Sequence, residues 1–239
     1  MEGDKYGLQL LIGDFRIISQ PHIPKREQEV LQRISQMNEG PLTTASMHSI
    51  YREIMSASLS LQKDVTVAFL GPRGSFSFQA ATERFGDSVS YVEATTIEGV
   101  LEAVEAGRVM YGVVPIENST FGTVLQTLDW FVSRDECAVV REQVLLSVHH
   151  CLLTNSPMDK IRRVYSHAQA LGQCAKWLAA NLPLAERTPV ASTSLAAEIA
   201  AKEVAAAAIS SAKCAELFDI ELRCRNIEDM KSKNTKRVL

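Results

Sequence analysis

The stretch VTVAFLGPRGSFS, residues 65–77, decides the fold. Its first six residues form a buried-strand run, the Gly-Pro pair at 71–72 breaks it, and FQAATERFG (78–86) then reads as a helix stopped by Gly86. The same grammar continues downstream. Strand-like YVEA (91–94), helical TIEGVLEAVEAGR (96–108), strand YGVVPIENS (111–119), helical TVLQTLDWFV (123–132) and strand-like QVLLSVHHCLLT (143–154) follow in turn. Beyond Pro157 come strand RRVYSHAQ (162–169), helices LGQCAKWLAANL (171–182) and SLAAEIAAKEVA (194–205), and a short apolar run, AAAAIS (205–210). Alternating strands and helices specify an α/β domain with a largely parallel sheet. Repetition of the pattern on either side of residue 155 predicts two lobes with a ligand between them.

Residues 1–63 read differently and show no convincing strand. From Pro24, PKREQEVLQRISQMN places Val30, Leu31, Ile34 and Met37 on one helical face, and GPL (40–42) ends it. A second amphipathic helix over about 43–62 aligns Met47, Ile50, Ile54, Ser58 and Leu61. Two such helices cannot cover both apolar faces alone, so this arm needs more helix or a partner chain.

Composition narrows the function classes. Of 239 residues, 46% are apolar and 22% charged, near the average of soluble globular proteins. No apolar run approaches the roughly 18 residues that span a bilayer, and the start lacks a signal-peptide pattern, so a cytoplasmic protein without membrane association is expected. The five cysteines are widely spaced and form no C-x-x-C pair, which argues against a zinc site or disulfide framework. A net charge of −3 provides no general basic field for nucleic acid.

Several polar clusters sit where strands end. GPRGSFS presents backbone N–H groups and the hydroxyls of Ser75 and Ser77 at a helix start, suited to an anion, although a βα turn that needs glycines also explains it. PIENS (115–119) puts Glu117, Asn118 and Ser119 just past the apolar YGVV, at the crevice where open α/β sheets bind ligands; an Asx-type turn is the alternative. YSHAQALGQC (165–174) repeats this with Ser166, His167, Gln169 and Gln173. Ser166 and His167 are adjacent, so they point to opposite faces of a strand, and no G-x-S-x-G elbow supports a serine hydrolase. His149 and His150 cannot both face one metal ion and read as packed histidines.

In order and spacing, GPRGSFS, GVVPIENS, TLD, VYSHAQALGQC, STSLAAEIA and RNIED together resemble the prephenate dehydratase family over nearly all of 64–235. Upstream, REQEVLQRI, GPL and IYREIMSASLSLQ resemble the chorismate mutase module fused to that enzyme in bifunctional bacterial proteins. The resemblance implies an α/β fold: a two-lobed, periplasmic-binding-protein-like dehydratase domain (64–239) after a helical mutase-like arm (1–63). It implies prephenate in the cleft, no metal and no organic cofactor, and conversion to phenylpyruvate with loss of CO2 and water. Chorismate is a further substrate if the arm retains mutase activity, and a homodimer is the expected assembly. Arogenate, with an amine in place of the keto group, stays open as a substrate. By similarity the pocket holds Glu117, Asn118, Ser166 and Gln173, with Thr235 as a hydrogen-bond donor to the leaving hydroxyl. Ser75, Ser77, Ser119, Gln169 and Lys236 are expected substrate contacts. In the arm, Arg16, Arg26, Glu27, Ser58 and Gln62 align with mutase pocket residues, and LLIGDFRIIS (10–19) stands for the end of the family's long first helix.

The sequence also departs from the family pattern. Lys236 stands where Arg is expected and Arg237 where Phe is expected, replacing a two-pronged carboxylate grip by a point charge and a packed ring by a cation. Ala168 replaces a Pro, and Phe121 a Glu. The strand after Thr235 is short, the regulatory ACT domain common in the family is not among these residues, and feedback inhibition by phenylalanine through it is not expected. Lacking the first mutase helix's arginine, the arm is expected to show weak or no mutase turnover. The altered triplet leaves a second reading, a non-catalytic two-lobed binder of prephenate or a related aromatic acid.

Overall fold

A computed structural model describes residues 10–13, 24–62, 64–118, 122–134, 138–230 and 235–238. The chain runs β1 (Leu10–Gly13), α1 (Pro24–Met37), α2 (Thr44–Gln62), β2 (Thr66–Leu70), α3 (Phe76–Phe85), β3 (Ser90–Ala94), α4 (Ile97–Glu105), β4 (Tyr111–Asn118), β5 (Gly122–Thr123), α5 (Leu125–Val132), β6 (Val139–Glu142) and β7 (Val144–Ser147). It then crosses to a second lobe with β8 (Cys151–Leu153), β9 (Arg163–Ser166), α6 (Ala168–Gln173), α7 (Ala175–Asn181), β10 (Glu186–Pro189), α8 (Thr193–Lys202), β11 (Ala206–Ser210), α9 (Lys213–Leu217) and β12 (Leu222–Cys224), and returns with β13 (Thr235–Val238).

Each lobe is built on its own sheet. In the first, the order is β3-β2-β4-β1-β6, with β13 between β4 and β7 and β5 beside β4; in the second it is β10-β9-β11-β8-β12. β2 lies parallel to both β3 and β4, and β9 parallel to both β10 and β11, as the strand-helix alternation predicts. Fully buried strands carry apolar runs: Val67, Ala68 and Phe69 in β2, and all of β11, Ala206–Ser210, are inaccessible to solvent. Four apolar clusters, two in each lobe, fill the layers between sheets and helices.

Two expectations are corrected. Residues 10–13 are a strand rather than the end of a helix: Leu10–Gly13 pair antiparallel with β4 on one side, and Leu11, Ile12 and Gly13 pair antiparallel with β6 on the other. Segments roughly 100 and 130 residues away supply those two open edges, and tertiary pairing overrides local preference. The apolar run 143–154 is two strands in different sheets, because the chain changes lobes at 148–150. On α2, the stripe containing Ile50, Ile54 and Leu61 faces outward, at 47%, 52% and 89% exposure, while Ser56 and Leu59 on another face are buried.

The arm is held to the first lobe by an ion cluster. Arg84 of α3 donates through Nη1 to Glu27 of α1 (2.8 Å) and through Nε to Glu142 of β6 (2.7 Å), all three side chains being largely buried. Burial opposes the charge on Arg84, but the two carboxylates more than restore it and raise its pKa. No helix among the described residues is long and apolar enough to cross a membrane.

Candidate functional site

A cleft of about 880 Å³ opens between the lobes. Its first-lobe wall is made by Gly71, Pro72, Ser75 and Phe76 at the start of α3, by Pro115 and Asn118 of β4, and by Gly122–Val124 and Gln126. The second-lobe wall comes from His150, His167, Gln169, Ala170, Gln173, Ser192 and Thr193. Among the described residues this wall carries no Lys, Arg, Asp or Glu.

Helix starts from both lobes converge on it. Ser75 caps α3 by accepting a hydrogen bond from Phe78 N (3.2 Å) while donating to Leu70 O (2.9 Å). Ser192 caps α8, accepting from Leu195 N at 3.0 Å, and the ring Nδ1 of His167 accepts from Gln169 N at 3.3 Å at the start of α6. Helix N-termini carry partial positive charge, so facing ends of α3 and α8 favour an anion held between the lobes.

At the crossover between lobes the second wall is locked in place. His150 is buried, with its ring edge-on to Phe76, and its Nε2–H donates to Gln173 Oε1 at 2.6 Å. With the oxygen accepting from His150, the other polar end of the amide is its NH2 group, which can only donate. Burial lowers the His150 pKa, only partly offset by the Gln173 hydrogen bond and the charge of Glu228. Glu228 accepts from His149 Nδ1 (2.9 Å) and from His150 N (3.0 Å). Burial alone would raise its pKa; the hydrogen bonds from His149 and from the backbone N–H groups of Glu228 and His150 outweigh that and hold it below the usual carboxylate value. Asp229 N donates to Gln173 O, and its carboxylate caps α7 by accepting from Lys176 N and Trp177 N.

Of the residues singled out in the sequence, Asn118, Gln169, Gln173 and Ser75 share the cleft wall. Ser166 does not reach it: its hydroxyl is fully buried and donates to Ile209 O (2.6 Å), tying β9 to β11. Ser77, in the first turn of α3, is likewise buried, and Glu117, next to Asn118 on β4, is not on the wall. Ser119 and Arg16 lie outside the described residues. β13, which carries Thr235 and Lys236, runs beside the cleft end of β4, with Lys236 opposite Asn118 and Thr235 opposite Ser147 of β7.

Glu27 is engaged by Arg84, Arg26 is exposed, and exposed Ser58 donates to Ile54 O; Gln62 ends α2. His150, read from the sequence as a packed histidine, is buried as expected, but its hydrogen bond to Gln173 joins residues 23 apart and had no local signal.

A two-lobed α/β protein with helix starts from both lobes at the cleft between them is the class defined by this fold. The family model for prephenate dehydratase matches residues 67–239, and that for chorismate mutase type II matches residues 17–63. The chain belongs to the prephenate dehydratase family. A bifunctional chorismate mutase/prephenate dehydratase of Stutzerimonas stutzeri is 43% identical over 215 residues, covering 89% of this chain and 58% of that protein. A prephenate dehydratase of Lactococcus lactis subsp. cremoris is 37% identical over 172 residues, 71% of this chain and 61% of the relative. The crystal structure of prephenate dehydratase from Arthrobacter aurescens in complex with L-Phe superimposes with a TM-score of 0.65 at 29% identity, covering 73% of this chain and 59% of that one. The chain thus spans about three fifths of the length of these relatives.

Proposed function

We propose that this chain is a prephenate dehydratase whose substrate lies in the cleft between the lobes. The observation that carries the reading is the meeting of Asn118 and Ser75 from one lobe with Gln169 and Gln173 from the other on a single wall free of ionised carboxylates and amines among the described residues. Such a wall suits a doubly charged guest: neutral donors and helix ends hold both carboxylates, and no carboxylate repels them.

The reaction needs little chemistry from the protein. Breaking the bond to the ring carboxylate releases CO2, its electron pair enters the ring, and the ring hydroxyl departs as water after gaining one proton; aromatisation drives both. The enzyme supplies orientation and a proton at the leaving oxygen. Asn118, Gln169 and Gln173 orient the carboxylates, His150 fixes the Gln173 amide, and Thr235 donates to the departing hydroxyl. A threonine hydroxyl is too weak an acid to act alone, so its proton is relayed from solvent. Purified protein incubated with prephenate is expected to release phenylpyruvate; tight calorimetric binding without product would favour the non-catalytic binder instead.

The exposed stripe Ile50, Ile54 and Leu61 on α2 supports a homodimer formed through the arm. Ile54→Glu should halve the mass seen by light scattering, and an unchanged mass would remove the idea. With Glu27 engaged by Arg84, weak or no chorismate turnover remains the expectation.

A further inference from the structure

Glu228, in the run RNIED (225–229), is a buried carboxylate that is not on the cleft wall and that no step of the reaction uses. Burying an ionised carboxylate is unfavourable unless hydrogen bonds offset the lost hydration. Here its two oxygens grip consecutive residues of the crossover, Oε1 accepting from His149 Nδ1 and Oε2 from His150 N. An ionised carboxylate only accepts, so the His149 ring keeps its proton on Nδ1. Ile227 completes the grip, its N–H donating to His150 O at 2.9 Å. Both backbone polar groups of His150 are thereby held by residues 227 and 228, while its ring packs edge-on against Phe76 of the first lobe, 5.8 Å between centroids.

The same short segment holds the other half of the pair. Asp229 N donates to Gln173 O at 2.7 Å, and the Asp229 carboxylate fixes the start of α7 just beyond. Residues 227–229 thus clamp the main chain on both sides of the hydrogen bond from His150 Nε2 to Gln173 Oε1. From this arrangement we propose that Glu228 is a positioning residue for the reaction: by clamping 149–150 it sets the His150 ring, and through that ring the way the Gln173 amide is turned on the cleft wall. A hydrogen-bonded amide held from one side by a fixed ring keeps its NH2 group in one direction. Without the carboxylate, His150 N and His149 Nδ1 lose their acceptor, the crossover backbone is released, and the ring no longer has a fixed origin.

Turnover as a readout rests on the dehydratase reading; nuclear magnetic resonance of the full chain with nitrogen-labelled histidine tests the clamp without any substrate. The His150 Nε2–H signal should be present in the wild type and lost to exchange with water in Glu228→Ala. It should persist in Glu228→Gln, whose amide can accept from His150 N and donate to the other tautomer of His149. With prephenate, Glu228→Ala should lower kcat about tenfold and Glu228→Gln should stay within about threefold of the wild type. Because Glu228 acts through His150, Glu228→Ala combined with His150→Leu should be within about twofold of His150→Leu alone. If Glu228→Ala fails to fold, seen as loss of a cooperative urea transition, Glu228→Met fills the space without an acceptor and is read by the same criteria. Losses that multiply in the double variant, to about a hundredfold, would mean a general structural role and overturn the proposal. An unchanged His150 signal in the folded single variant would overturn it too, whether or not the wild type converts prephenate.

Discussion

Replacing Gly74 by alanine should weaken closure of the lobes. The loop Gly71–Ser75 lies on the first lobe, yet its backbone carbonyls reach the second: Arg73 O accepts from Ser194 Oγ, and Gly74 O accepts from Ser211 Oγ (3.3 Å) and from Cys214 Sγ (3.3 Å). Gly74 has φ 83°, and a Cβ there would stand 2.7 Å from both Ser194 Oγ and Cys214 Sγ. The left-handed backbone costs alanine about 1 kcal/mol whether or not the lobes touch, so it does not change the balance between open and closed. Overpacking does, because the clashing atoms belong to the opposite lobe; it costs typically about 1–3 kcal/mol. At about 1.4 kcal/mol per tenfold, the affinity of a ligand that requires both lobes falls about 5- to 150-fold. Calorimetry with prephenate measures this, and peptide-resolved alkylation of Cys214, buried at that contact, should accelerate. Binding within about twofold of wild type together with unchanged Cys214 alkylation would refute the reasoning.

Other perturbations follow from the same contacts. Arg84→Leu leaves Glu27 and Glu142 largely buried without their cation and should cost about 3 kcal/mol in urea unfolding, since stranding buried charges is what makes such losses large; a loss under about 1 kcal/mol would contradict the clamp. His150→Leu removes the donor that orients Gln173 and should lower kcat about tenfold with the fold intact by circular dichroism; an unaltered kcat would refute that role. Stability should depend on pH through the same crossover. Burial lowers the His150 pKa in the folded chain, so below about pH 6.5 the unfolded chain binds more protons and the urea midpoint should drop as pH falls through that value. Glu228, with its folded pKa depressed, adds a further loss below about pH 4.5. A midpoint equal at pH 7 and pH 5.5 would contradict the lowered His150 pKa.

Much of the dehydratase domain was legible because its signals are local. Strand β2, the Gly-Pro turn and the Ser75 cap of α3 are each encoded within a few residues, and the repeat of strand and helix beyond Pro157 gives the second sheet. Long-range features were not. LQLLIG has no punctuation that marks a strand; it becomes one because Tyr111–Val114 and Val139–Glu142 offer it two edges. Apolar 143–154 looks like one strand because each half is buried, although in different sheets. On strand β9, alternation alone cannot say which of Ser166 and His167 faces the cleft; the bond from Ser166 to Ile209 O turns the serine into the sheet and leaves His167 on the wall. The arm's second helix shows the same limit, since its apolar stripe was readable but not which face would meet the lobe.

The central claim is that side chains from two separate lobes grip one small dianion. Prephenate affinity measured by calorimetry on the wild type, Asn118→Ala and Gln173→Ala tests it most directly. The account predicts that each substitution, one per lobe, weakens binding about fivefold or more, as loss of a hydrogen bond to a charged group does. Wild-type affinity in either variant, with both folded, would contradict it.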